Sequence, residues 1–557
     1  MKCCDYLVDY LNFIGVNHLF GVGGANIEDV YDSAYHHSSS IQAILAKQEF
    51  CAACMADGYS RYSQQLGVVM ATSGGGSLNL TPGLGESLMS NQPILAIVGM
   101  PPSQLEGLGA FQDASGLNGS LDGEKLFQAL ASKYFHRFHD NSRFQYHLHQ
   151  AVSKALSSPF GTSVLMIPKD IQAAQLPIDE VYHLKEPTIQ RLEASRVSSD
   201  IADLLRNSNL KTMLLLGKGA YNANAIEKSI ELSKLLNAKM AVSPVGKANI
   251  ADTEPNYLGV SGVAGHKSVM IEAQQSDIII IIGSRLPLMS RVGLEEQLKT
   301  KKIIYIHEIE PSFDYGDNSD NWYFNLGDIN TTLIGLVNEL SLPPNNYFET
   351  SCFPPSPESP LFFDKEHREF NFENIFRCIN NFLHPNDIVF ADAGNTGGAA
   401  IHYVKPTTYF GIALGMGGMG YAIGASIGSC FNTQKVTYCF VGDGAMLMHG
   451  MEIHTAIEYE LPIRFIIFNN NSHAMCFARE KLYYQGLYSY NLFKSSHFGN
   501  GFKAMFPSLY SEEINSLDEL EQHLKELTHY TKPAVLSLNV SPHEVPPFLP
   551  FTQLMET

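Results

Sequence analysis

The chain is short of basic residues, holds a single tryptophan and contains no long apolar run. Its 37 Lys+Arg face 56 Asp+Glu, a formal net charge of −19 over 557 residues. That balance repels phosphate backbones and anionic lipid, so it argues against nucleic acid and membrane surfaces as partners. No stretch approaches the ~20 apolar residues of a membrane span. The longest, around residues 278–282, is strand-sized. The opening Met1-Lys2-Cys3-Cys4-Asp5 carries an acid early and lacks the apolar core of a signal peptide, so a cytoplasmic protein is expected. Nine scattered cysteines, an odd number, suit reduced thiols rather than a disulfide framework. Short-period repeats and low-complexity tracts are missing too, which excludes solenoid and fibrous architectures. Trp322 suggests no role of its own.

What is present is ample core material: 45% hydrophobic against 17% charged residues. The length predicts three to four domains. One rhythm recurs three times: a β-branched or aliphatic run, a glycine turn, then a helical pattern. That alternation predicts an α/β protein of three doubly wound parallel-sheet domains. Expected strands fall at 41–46, 67–71, 94–98 and 163–167; at 212–216, 240–242, 278–282 and 302–306; and at 388–391, 436–441, 464–468 and 534–538. The expected domains are 1–172, 190–341 and 363–545. A proline-rich linker at 342–362 and a tail at 546–557 complete the division.

The third stretch carries the most chemistry. The run 436–441 ends in Gly442-Asp443-Gly444, and ligands gather at the carboxyl ends of strands in open parallel sheets. The next strand ends in Asn469-Asn470-Asn471-Ser472, with Asn470 27 residues beyond Asp443. One strand end, one crossover helix and one strand fit that interval, so the two ends lie side by side. A carboxylate, an amide oxygen and a backbone carbonyl form a hard-oxygen set suited to magnesium, with water and phosphate completing the octahedron. Separately, Asp443 reads as a helix cap and the asparagines as a turn. Together, at two strand ends, they read as ligands. A competing pattern lies just upstream. Gly415-Met416-Gly417-Gly418-Met419-Gly420 matches G-x-G-x-x-G, and Asp443 follows 23 residues later, which supports an NAD-dependent oxidoreductase. Ribose binding, however, requires neither the glycine after Asp443 nor the paired asparagines.

Gly442-Asp443-Gly444 with Asn469-Asn470 resembles the thiamine-diphosphate (ThDP) motif. The likeness extends to Phe20-Gly21-Val22-Gly23-Gly24-Ala25, Glu49 with Ala56-Asp57-Gly58-Tyr59, Thr72-Ser73-Gly74-Gly75-Gly76, Ala110-Phe111-Gln112-Asp113, 167–172 and Gly417-Gly418-Met419-Gly420. Over nearly the whole chain it is similar to acetohydroxyacid (acetolactate) synthase and related 2-oxo acid decarboxylases and carboligases. The resemblance implies a pyrimidine-binding domain, a central domain and a diphosphate-binding domain. It also implies that the cofactor lies between the first domain of one subunit and the third of another, so a homodimer or tetramer is expected.

Residue roles follow from the same resemblance. Asp443, Asn470 and the Ser472 carbonyl would hold Mg2+ against the diphosphate. Asn395 and Thr396 would bind the diphosphate, with Gly444, Ala445 and Met475 also at the cofactor. Met419 would wedge its two rings into a V, and the Gly417 carbonyl would accept from the aminopyrimidine. Glu49 would hydrogen-bond the pyrimidine ring nitrogen, a task that needs a proton-sharing carboxyl and hence an apolar setting. Gln112 and the backbone at Gly24 would complete the catalytic pocket, with Phe111 and Arg479 at the substrate. The related simple decarboxylases carry a His-His pair near this region. Gly109-Ala110-Phe111-Gln112-Asp113-Ala114 has no histidine, which leans toward carboligation.

Some positions depart from the pattern. Gly75 stands where the synthases usually have proline. Arg479 replaces a tryptophan that selects the second oxo acid, and an arginine suits an anionic group; its plainer alternative is an ion pair with Glu480 or Glu458. Leu216-Gly217-Lys218-Gly219-Ala220 and Ile282-Gly283-Ser284-Arg285-Leu286 resemble flavin-contacting segments but lack the acidic pair that follows the arginine, so FAD is left open as a cofactor but is not predicted. Cys51-x-x-Cys54 reads as buried packing rather than a redox pair. The expected activity is ThDP- and Mg-dependent decarboxylation of a small 2-oxo acid followed by ligation to a second carbonyl compound. Simple decarboxylation to an aldehyde, a silent ThDP-fold protein and an NAD enzyme remain the alternatives.

Overall fold

A computed structural model describes all residues except 37–39, 178–183, 194–198, 207–209, 249, 252–253, 312–318, 341–356, 365–367, 407–408 and 557. Three six-stranded sheets are stacked along the chain, and every pairing within them is parallel. The first runs Gln42–Leu45, His18–Val22, Gly67–Ala71, Ile94–Met100, Thr162–Pro168, Tyr134–Arg137. The third runs Tyr409–Ile412, Ile388–Ala391, Thr437–Gly442, Ile463–Asn469, Ala534–Asn539, Tyr510–Ile514. Numbered within each domain, both read 2-1-3-4-6-5. The middle sheet instead runs Trp322–Leu326, Lys302–His307, Ile278–Ile282, Thr212–Leu216, Lys239–Val242, Tyr257–Val260, which is 6-5-4-1-2-3. That is the dinucleotide-fold order, yet the G-x-G-x-x-G at 415–420 lies in the third domain, after an edge strand.

Each strand expected from the sequence has a counterpart here. Added to them are His18–Val22 and five edge strands, Tyr134–Arg137, Tyr257–Val260, Trp322–Leu326, Tyr409–Ile412 and Tyr510–Ile514. Of the expected linker, residues 342–356 lie outside the described residues. Its last two, Leu361–Phe362, pair antiparallel with Glu544–Val545. The stretch expected as a tail forms the helix Leu549–Glu556. Its Phe551 is buried against Ala478 and Val545, so apolar contact orders it. The described cysteines are all free, and Cys51 and Cys54 are buried in the core.

The first and third domains share one hydrophobic cluster. Its seam is the helix Glu49–Ser63 lying on the helix Tyr421–Thr433. A Cβ at Gly58 would stand 2.2 Å from the Ala425 carbonyl, and one at Gly428 1.9 Å from that of Met55, so only glycine allows this approach. A buried polar network closes the seam. Arg61 pairs with Asp57 and, at 2.9 Å, with Glu86, while Tyr421 Oη donates to Asp57 at 2.5 Å. Each charge in it has a partner, which is what burial demands.

Candidate functional site

In both outer sheets the chain reverses its direction of winding between the first and third strands of the domain, and ligands collect at such switch points. At that point of the first domain, His18–Val22 delivers Gly23-Gly24 and Gly67–Ala71 delivers Thr72-Ser73-Gly74. A Cβ on Gly24 would meet the Thr72 side chain at 2.6 Å. Thr72 Oγ1 donates to Gln112 Oε1 at 3.2 Å, and Gly74 at φ +61° lies under the Gln112 side chain. Gln112 itself holds φ +62°, a strained value for a non-glycine residue. Glu49 opens the helix Glu49–Ser63, whose first turn is capped by Gln48 accepting from the Cys51 N–H at 3.2 Å. Its carboxylate accepts from Asn79 Nδ2 at 2.9 Å, and a Cβ on Gly76 would approach it to 3.0 Å. The apolar neighbours 50–54 turn inward, so Glu49 is half-buried within this chain rather than enclosed by them. Phe111 is 80% exposed.

The third domain repeats this arrangement. Ile388–Ala391 delivers Asp392 and, after Gly394, the helix Asn395–Tyr403 with Asn395 and Thr396 in its first turn. Thr437–Gly442 delivers Asp443 at the start of the helix Asp443–His449, with Gly444 and Ala445 buried behind it. Asp443 accepts from the N–H of Gly444 at 2.8 Å and of Ser472 at 3.1 Å, and burial raises its pKa to about 6. Asn470 Oδ1 accepts the Ser472 hydroxyl at 2.9 Å. The expected trio Asp443, Asn470 and Ser472 is therefore brought together. Met475 is the second residue of the helix Ala474–Tyr483 that follows, and Arg479 stands exposed on it, 5.2 Å over the Tyr483 ring. Neither ion pair offered for Arg479 forms: Glu480 accepts from Asn491, and Glu458 takes Lys47.

Sequence reasoning passes over several polar groups that shape the two halves. Asp392, buried and pushed up to about 7 by desolvation, accepts the Gly420 N–H at 2.7 Å and so pins the loop carrying Gly417 and Met419. Its position straight after a strand is the signal that could have flagged it. Asn79 on Glu49 and Thr72 on Gln112 offer no such signal, because loop folding alone brings them there. His473 packs against Gly444, whose Cβ would stand 2.5 Å from Nδ1.

The comparisons with known proteins agree with this layout. Residues 1–118 match the N-terminal TPP-binding domain of thiamine pyrophosphate enzymes, 198–336 the central domain and 392–538 the C-terminal TPP-binding domain. The chain belongs to the thiamine pyrophosphate enzyme family. It is similar over its full length to acetolactate synthase large subunits. A probable acetolactate synthase large subunit of Methanocaldococcus jannaschii is 25% identical over 99% of this chain and 94% of its own. The isozyme 2 large subunit of Escherichia coli is 24% identical over 100% of both. As a member of the family, the protein is a ThDP-dependent enzyme of carboligation or decarboxylation.

The residues present fit the family's cofactor. Gly417 at φ +65° has open space where a Cβ would point, so a flat ring can approach its backbone. Asn395 Oδ1 is buried without a hydrogen-bond partner among the described residues, and the first turn of the Asn395–Tyr403 helix presents N–H groups suited to a diphosphate. For a divalent ion, Asp443 with the Asn470 amide and Ser472 carbonyl supplies one carboxylate and two neutral oxygens. Among the described residues no cluster of three or more His, Cys, Asp or Glu could hold a metal instead. No described helix is long and apolar enough to cross a membrane.

Proposed function

We propose that the protein is a ThDP- and Mg-dependent carboligase that decarboxylates a small 2-oxo acid and joins the remainder to a second carbonyl compound. The observation that carries ligation over simple decarboxylation is the loop around Gln112. No histidine lies between 107 and 114, and its one acid, Asp113, is committed to the N–H groups of Gly107 at 2.7 Å and Ser115 at 2.9 Å. A nearby acid is what release of an aldehyde requires. The bound cofactor supplies the nucleophilic carbon and electron sink. Glu49 would present its carboxyl group to the pyrimidine nitrogen. Asp443, Asn470 and the Ser472 carbonyl hold Mg2+, while Asn395 and Thr396 bind the diphosphate between them. Met419 wedges the cofactor, and Gln112 with the Gly24 backbone orients the reacting carbonyls.

The assembly we infer is a homodimer or tetramer with sites between copies. Large apolar side chains stand exposed beside both half-sites, Leu108 and Phe111 on one and Leu447, Met448 and Met451 on the other, and they support that reading. Free cysteines and the acidic surface support a cytoplasmic setting. Arg479 is proposed to take the anionic group of donor or acceptor. The test is a panel of 2-oxo acids, with and without aldehyde and oxo-acid acceptors, followed by carbon dioxide release and hydroxyketone formation. Acceptor-dependent hydroxyketone is expected. Aldehyde as the sole product would overturn ligation, and turnover indifferent to added ThDP would overturn the whole reading.

A further inference from the structure

The segment that ends in Glu49 is held by the third domain of the same chain. Glu452, 1% exposed, lies on the turn Gly450–Glu452 just past the helix that begins at Asp443. Both its oxygens accept the backbone N–H of Lys47 at 3.0 Å, two residues before Glu49. Thr455 Oγ1 fixes the carboxylate by donating to it at 2.6 Å, and the Cys51 thiol, two residues after Glu49, lies against it. The flanking contacts repeat the grip. Lys47 Nζ pairs with Glu458 at 2.5 Å, and the Phe50 ring packs on His449 with centroids 4.7 Å apart. Residues on both sides of Glu49 thus meet one short stretch, 449–458.

We propose that Glu452 is a positioning residue: by clamping the Lys47 N–H it sets the start of the helix Glu49–Ser63 and so the reach of the Glu49 carboxylate. Surface packing alone would not require a buried carboxylate here. Glu452 is desolvated, and its pKa is accordingly raised by burial. A buried acid persists where its hydrogen bonds hold a particular geometry. A displacement of about 1 Å at a reacting group can cost on the order of 10²-fold in rate. Glu452 spends its carboxylate on Lys47, Thr455 and Cys51, and so acts through the 47–49 turn.

The inference rests on the role given to Glu49, and its test separates the two. The full-length protein is loaded with ThDP and Mg2+ in deuterium oxide, and exchange of the cofactor's C2 proton is timed without substrate. Glu452→Ala is expected to slow that exchange by about 10- to 10²-fold with ThDP affinity unchanged, and to expose the Lys47 amide to hydrogen exchange in the cofactor-free chain. Glu452→Gln, which keeps an accepting oxygen, is expected to restore most of the rate. Thr455→Val, a milder change that frees the carboxylate, is expected to slow exchange in the same direction should the alanine variant not fold. Full exchange rates in folded Glu452→Ala or Thr455→Val, or equal loss in the alanine and glutamine variants, would overturn the positioning role alone. No exchange in the unaltered protein would overturn the role of Glu49 and this inference with it.

Discussion

The carboxylate of Glu86, on the first-domain helix Thr81–Met89, accepts the N–H of Met416 in the third domain at 2.7 Å and that of Gly415 at 3.1 Å. Its other oxygen pairs with Arg61 at 2.9 Å, both side chains being almost wholly buried. The loop that goes on to Gly417 and Met419 is thereby anchored on the helix layer that Glu49 begins. Removing Glu86 leaves Arg61 with Asp57 as its remaining ion-pair partner and strips the Gly415 and Met416 N–H groups of their acceptor.

Glu86→Ala is therefore expected to lower unfolding stability by about 1–3 kcal/mol, read by urea denaturation. Glu86→Gln keeps an oxygen for Met416 and should lose less. A loss in the alanine variant no larger than that of an exposed acid such as Glu521→Ala would contradict the anchoring role.

Stability should also report on Glu544. Burial pushes its carboxyl up to about 8 from an ordinary 4.5, the Phe372 N–H donating at 2.7 Å offsets part of that, and Glu373 adds to the rise. Among the described residues its Oε2 has no hydrogen-bond partner. The native chain keeps this proton up to about pH 8, whereas the unfolded chain releases it near 4.5. Between these values the unfolded state binds fewer protons, so this group's contribution to stability falls as pH rises through that window. Glu544→Gln mimics the neutral acid and should gain stability relative to the unaltered protein at pH 8 but not at pH 4.5. A gain independent of pH, measured by denaturation at several pH values, would count against the buried neutral carboxyl.

How much of this was legible in the sequence depends on whether the signal is local. Asp443 and Asn470 are readable because a strand, a glycine turn and a fixed crossover place both at adjacent strand ends. Central strands such as Ile278–Ile282 announce themselves as unbroken apolar runs, since both faces are covered. Tyr510–Ile514 carries two glutamates at a sheet edge and Tyr134–Arg137 a histidine and an arginine, so neither stands out as a strand. His18–Val22 is different: it lies inside its sheet, but Gly21 interrupts the run because a Cβ there would stand 2.4 Å from the Met70 carbonyl. Partners that act across domains, Glu86 on Met416 and Glu452 on Lys47, leave no periodicity behind. Their sequence separations exceed 300 residues, and only the packed seam brings them together.

Lys218 lines a cavity of about 320 Å³ bounded by Arg61, Met89, Ser243, Arg285 and His307, at the switch point of the middle sheet. Its Nζ is buried without a hydrogen-bond partner among the described residues, and desolvation holds its pKa well below that of an exposed lysine, with Arg61 pushing the same way. An unsatisfied buried donor costs about 1–3 kcal/mol. Lys218→Met, similar in length and free of that penalty, is expected to stabilise the protein by a comparable amount in denaturation at pH 7. Destabilisation would mean that the amine makes interactions that the methionine cannot replace.

Arg479 offers the sharpest test of substrate chemistry. Its helix, Ala474–Tyr483, starts two residues after Ser472 and carries Met475 one turn earlier, so the guanidinium and the metal set share one rigid element. Stacked over Tyr483 and without an ion-pair partner among the described residues, it has donors to spare. A charge-assisted hydrogen bond to a carboxylate contributes about 1.5–3 kcal/mol, which is about 10- to 10²-fold in binding. Arg479→Ala should raise KM for the substrate bearing the extra anionic group by that factor, leave neutral acceptors unaffected, and change kcat little. Arg479→Lys should recover only part, since an ammonium cannot offer the planar fork. Equal KM changes across charged and neutral acceptors would remove the anion from the proposed specificity and return Arg479 to a surface role beside Tyr483.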